Sequence, residues 1–101
     1  MYIERKAGEV TGEARIGRVI FSKTFRTMYY DGKEFAKVKG YKYNCIEIST
    51  SEEYWISGCK KNGDDTLYGG NVPIQIDENV REEYWISIRN KPNLKENRLS
   101  N

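Results

Sequence analysis

Thr27-Met28-Tyr29-Tyr30-Asp31-Gly32-Lys33-Glu34-Phe35-Ala36-Lys37-Val38 is the stretch whose reading decides the fold. β-Branched and aromatic residues flank an Asp-Gly pair, the dipeptide that most readily supplies the positive φ angles of a two-residue hairpin turn. The chain before it, Arg15-Ile16-Gly17-Arg18-Val19-Ile20-Phe21-Ser22, reads as another strand, broken off by residues 23–26. Two hairpins so close together predict a meander.

A third hairpin is expected around the polar connection Ser49-Thr50-Ser51-Glu52-Glu53. Pairing Ile48 with Tyr54 and Ile46 with Ile56 puts apolar side chains on one face. Cys45 then opposes Ser57, and Cys59 lies on the diagonal, at the far limit of what a disulfide tolerates. Lys60-Lys61-Asn62-Gly63-Asp64-Asp65 reads as a turn of solvated charges. A short run at Thr66-Leu67-Tyr68 follows, and Gly69-Gly70 serves a loop through positive φ. Val72-Pro73-Ile74-Gln75-Ile76 reads as the last strand, with Pro73 at an edge or a strand start.

The period then changes. Asp77 is placed to cap a helix over about 77–90, with Glu78 in its first turn and Val80, Tyr84, Trp85 and Ile88 on one apolar stripe. Asn90-Lys91-Pro92 ends it. The hexapeptide Glu-Glu-Tyr-Trp-Ile-Ser occurs at 52–57 and again at 82–87, the first copy expected as strand and the second as helix. The fold class is therefore mainly β with one C-terminal helix, either a small antiparallel meander or an SH3-like partly closed barrel. One domain spans residues 1–92, and residues 93–101 form a polar, frayed tail.

With 101 residues there is room for a single domain, and eight Tyr, three Phe and two Trp can close a core that is otherwise short of apolar residues. No stretch approaches the roughly 20 apolar residues of a membrane span, and the first residues lack the apolar run of a signal peptide. Two cysteines are too few for a disulfide framework, so the expectation is a reduced, cytoplasmic protein, with a Cys45–Cys59 bridge as the rival.

The chain has no histidine, which removes the commonest general base and metal ligand. It has no phosphate-binding loop or dinucleotide fingerprint, and nothing in it implies a cofactor or a metal. The carboxylate pairs Glu52-Glu53, Asp64-Asp65 and Glu82-Glu83 read as solvated charge rather than as facing catalytic acids.

The net charge of +2 hides an asymmetry. Residues 15–42 hold eight basic residues against Asp31 and Glu34, whereas residues 43–83 hold three basic residues against nine acidic ones. Either the first half meets an external anion or the halves pair with each other. The candidate binding residues are Lys33, Lys37, Lys39, Tyr41, Lys42 and Tyr43. Lysines interleaved with rings suit single-stranded nucleic acid, with charge for the phosphates and rings for the bases. The opposing reading is a charged loop whose tyrosines fold back over the core.

Several blocks together resemble a family of short bacterial proteins of about this length. They are Gly17-Arg18-Val19-Ile20-Phe21-Ser22-Lys23-Thr24, Tyr29-Tyr30-Asp31-Gly32-Lys33, Glu53-Tyr54-Trp55-Ile56-Ser57-Gly58, Leu67-Tyr68-Gly69-Gly70 and Ile76-Asp77-Glu78-Asn79-Val80-Arg81-Glu82-Glu83-Tyr84-Trp85. The family pattern has a glycine where this chain has Phe25, which leaves the first turn type open. Members often carry the label 1-deoxy-D-xylulose-5-phosphate synthase. That synthase is a thiamine-diphosphate enzyme several times longer, and this chain has no metal-diphosphate motif, so the resemblance implies a self-contained bacterial domain and no catalytic residue.

Two functional classes follow. The preferred one is a non-enzymatic binding module contacting protein or nucleic acid through a basic-aromatic sheet surface. The alternative is a small enzyme whose site combines Cys45 or Cys59 with lysine, tyrosine or carboxylates. An exposed aromatic patch would mark a partner-dependent subunit. Oligomeric state is open at this level.

Overall fold

The computed structural model describes residues 1–6, 13–66 and 73–100. Eight strands form one sheet in the order β3-β4-β5-β6-β7-β1-β2-β8, curled into a half-barrel. They are β1 (Tyr2–Arg5), β2 (Ala14–Ile16), β3 (Ile20–Phe21), β4 (Thr27–Tyr30), β5 (Lys33–Lys37), β6 (Cys45–Glu47), β7 (Glu53–Ser57) and β8 (Ile74–Ile76). β3 to β7 are the expected meander. β1 then pairs antiparallel with β7 and β2, and β8 joins β2 in parallel. Leu67 to Val72, including the expected strand run and the Gly69-Gly70 loop, lie outside the described residues.

β1 explains why the sheet carries a core on each face. Its successive side chains point oppositely, and Tyr2 and Ile3 are both buried. Tyr2 packs with Ala14, Ile16, Ile74 and Ile76 beneath Val80, Tyr84 and Trp85 of the helix. Ile3 packs inside the curl with Met28, Phe35, Cys45, Tyr54 and Ile56. Each such large side chain contributes about 1.5–3 kcal/mol when withdrawn from water.

The expected helix is present over residues 78–88. It opens as a 3-10 turn at Glu78–Val80, passes through Arg81–Glu83 and widens into a π-turn at Tyr84–Ile88. Widening lets the adjacent rings of Tyr84 and Trp85 both bury against the sheet, where they meet edge to face at 5.1 Å. Ile88 completes the stripe at the margin of that core. The first copy of the repeated hexapeptide forms β7, which sends Tyr54 and Trp55 to opposite faces, and the second forms this helix.

Four local expectations are corrected. The expected continuous strand over residues 15–22 is two strands, because Gly17 lies tight against Tyr30 and Asp77 and the chain crosses from β2 to β3 there. The Asp77 side chain makes no cap bond. It is drawn instead to Arg15 (2.9 and 2.6 Å) and to the Tyr30 hydroxyl, which donates at 2.5 Å. Charge-assisted bonds of this kind exceed an ordinary cap, and they clasp the curled wing to the β2–β8 end.

The third hairpin pairs Cys45 with Tyr54 and Ile46 with Glu53, not Ile46 with Ile56. That odd shift turns Cys45 and Glu47 inward and leaves Ile48 exposed. Ser51 at φ 62° closes the turn with its N–H on Glu47 O. Asn44 locks the register as its amide gives Nδ2–H to Ile56 O (2.8 Å) and takes the Ile56 N–H (2.9 Å).

The C-terminal segment expected to fray lies beside β8. Ile76 N–H bonds Arg98 O, Ser100 N–H bonds Ile74 O, and the Trp85 indole donates to Asn97 O. The last strand is thus covered, consistent with the hazard of an open sheet edge.

Candidate functional site

Strands of the meander alternate in direction, so the β3–β4 turn at residues 22–26 and the β5–β6 connection at residues 38–44 fall at the same end. The Lys37 N–H bonds Arg26 O at 3.2 Å and ties the two together. Val38 N–H bonds Asn44 O, closing the longer connection. Within it Gly40 lies flush on the following backbone: a Cβ there would fall 2.5 Å from Tyr43 O.

This end gathers Lys23, Arg26, Lys37, Lys39 and Lys42, all exposed. Among the described residues, none of the five enters an ion pair. The two most exposed rings among the described residues accompany them, Tyr41 at 79% and Phe25 at 60%. Lys42 Nζ stands 5.9 Å from the Tyr41 ring centre, and Lys37 Nζ stands 5.5 Å over Phe21, which in turn contacts Phe25 at 5.7 Å.

The other three cations of the basic half are used internally. Arg15 pairs with Asp77, Arg18 with Glu83 and Lys33 with Asp31. Pairing between the halves therefore absorbs two cations, Arg15 and Arg18, Lys33 is paired within the basic half, and five face water. The Asp31-Gly32 turn and the β6–β7 connection, at the opposite end of the meander, carry Asp31, Glu34, Glu47 and Glu52, and there the cations Lys33 and Arg5 are paired, with Asp31 and Glu52.

Of the six residues singled out in the sequence, Lys37, Lys39, Tyr41 and Lys42 come together. Lys33 does not, since β5 carries it to the acidic end. Tyr43 is half-buried, its ring against Gly40. Lys23, Phe25 and Arg26 were missed. The signal that could have found them is the hairpin itself, because two up-down strands return a later loop to the end where an earlier turn began.

Burial raises the pKa of both thiols. Cys45 is buried among apolar side chains, its Sγ–H is directed to Tyr54 O at 3.4 Å, and burial pushes its pKa up to about 12. Cys59 packs against the other core, and burial raises its pKa too, against the opposing pull of the N-terminal ammonium. The two free thiols thus lie on opposite faces of the sheet.

A second polar cluster is structural. Buried Glu4 receives the Tyr2 hydroxyl and the Lys6 ammonium, each at 2.6 Å. Asp65, expected to be solvated, is buried and accepts the Lys60 N–H at 2.6 Å, which folds the 60–65 turn back on itself. Among the described residues, no group of three or more acidic or thiol side chains is arranged to hold a metal, and no helix is long and apolar enough to cross a membrane.

Comparison with family models, with curated proteins and with solved structures found no match for the chain.

Proposed function

We propose that this chain is a non-enzymatic binding module that holds single-stranded nucleic acid against the basic end of its half-barrel. The observation that carries the reading is the set of five exposed cations without an acidic partner among the described residues: Lys23, Arg26, Lys37, Lys39 and Lys42. Like charges gathered at one end repel one another, and a phosphate chain relieves that repulsion while releasing its own counterions. The ring of Tyr41 beside Lys42 supplies what phosphate contacts alone lack, an apolar face on which an unpaired base can stack. An acidic protein segment would use the cations but leave the rings idle.

Fluorescence anisotropy of a labelled oligonucleotide of about 15 nucleotides, a length suited to small single-strand binding domains, tests the reading. Replacing Lys37, Lys39 and Lys42 together by alanine should weaken binding strongly without loss of fold, because all three side chains are exposed. Unchanged affinity in that variant would overturn the assignment. Displacement of the oligonucleotide by polyglutamate of equal charge at equal concentration would favour an acidic protein partner instead.

A further inference from the structure

Phe25 occupies a turn position whose chemistry asks for another residue. Its N–H closes the turn on Ser22 O at 3.0 Å, while the Ser22 N–H reaches Thr27 O at 2.9 Å. Phe25 is thereby held at φ 59°, in the left-handed region. The other non-glycine residues described there are Asp31, Ser51 and Asn90. All three are short and polar, able to bond locally and tolerate the conformation, whereas a bulky aromatic in it is an outlier.

Nor does the core account for the ring. It is 60% exposed, and its aromatic contact is a tilted one with Phe21. Backbone strain of this kind, at a ring the core does not hold, points to a role outside the fold. Its sequence neighbours Lys23 and Arg26 are two of the five unpaired cations, and Lys37 stands over the adjoining Phe21 ring.

We propose that Phe25 is a stacking platform for an unpaired base of the strand bound at this end, retained at the expense of fold stability. The inference rests on the nucleic-acid reading above and adds a second ring to Tyr41, so that two bases are held while the flanking cations take the phosphates. Stacking of this kind is indifferent to base identity, because every base presents a π face. The site therefore discriminates strand form, single over duplex, and not sequence.

The test compares the wild-type protein with F25G and F25Y. Each is titrated with an oligothymidylate of about 15 nucleotides and with an abasic oligomer of the same length, and each is melted without ligand. F25G should bind the oligothymidylate about tenfold more weakly or worse, bind the abasic oligomer like the wild type, and melt at the same temperature or higher. F25Y, which keeps a ring, should keep the affinity. Wild-type binding that F25G leaves unchanged overturns the stacking role alone. So does an equal loss on both oligomers, or a fall in Tm beyond about 4 °C, which would make the ring structural. Wild-type protein that binds neither oligomer overturns the nucleic-acid reading, and this inference with it.

Discussion

Gly17→Ala tests the clasp that holds the half-barrel together. A Cβ at Gly17 would lie 2.5 Å from Asp77 Oδ2 and 2.9 Å from Tyr30 Cζ, with Tyr30 Cε1 nearer still. Real Cβ atoms do not approach so closely, so the Tyr30 ring must move. Overpacking of this kind costs about 1–3 kcal/mol. If the ring swings clear, the hydrogen bond from the Tyr30 hydroxyl to the Asp77 carboxylate is lost, a further ~1.5–3 kcal/mol for a charged acceptor. The two routes are alternatives in part, so the expected loss is about 2–4 kcal/mol, lowering Tm by roughly 10 °C or more.

The sign is the discriminating feature. Gly17 does not have positive φ, and at such a position Gly→Ala ordinarily stabilises by about 0.4–1 kcal/mol. Urea unfolding followed by tryptophan fluorescence gives the difference, and Tyr30→Ala supplies the control. In that background much of the clash is absent, so the penalty of Gly17→Ala should shrink by more than about 1 kcal/mol. A G17A protein as stable as its parent, or an equal penalty in both backgrounds, would refute the clasp.

Two further outcomes are expected. Asn44→Ala removes both side-chain bonds to the Ile56 backbone and should cost about 2–3 kcal/mol, with faster hydrogen exchange at the Ile56 amide; unaltered exchange would mean that the register is held elsewhere. Burial is the largest cause raising the pKa of Cys45 and of Tyr2, Tyr30, Tyr54 and Tyr84. The folded chain keeps protons that the unfolded chain releases above its ordinary thiol and phenol values of ~8.5 and ~10. The stability from these groups is complete below pH ~8.5 and is lost as pH rises through their folded values, so absorbance at the phenolate band should show those four tyrosines ionising only with unfolding. Their ionisation in still-folded protein would contradict the burial.

Much of the fold was legible because local chemistry agreed with the global outcome. The Asp31-Gly32 turn takes positive φ at both residues, and Val80, Tyr84 and Trp85 form the buried stripe their spacing announces. What escaped was non-local. β1 carries a mixed sequence, Tyr2-Ile3-Glu4-Arg5, whose alternation is masked because each face meets a different core. The parallel pairing of β2 with β8 joins residues some sixty positions apart and has no turn to signal it. Ile46 and Ile48 point to the wrong hairpin face, because the side-chain lock of Asn44, and not apolar content, holds the register. The candidate site was half legible for the same reason. Lys37 to Lys42 are contiguous, whereas Lys23, Phe25 and Arg26 join them only through the β4–β5 hairpin.

The central claim is that five exposed cations, unpaired among the described residues, and an exposed ring bind a single strand, and its most direct test is the salt dependence of oligonucleotide affinity. Each phosphate neutralised on a single strand contributes a slope of about −0.7 in log K against log salt. Four or five contacts predict a slope near −3, or roughly a 100-fold loss of affinity between 50 and 200 mM salt. A measured slope near zero, or no binding to any single strand at the lower salt, would contradict the account.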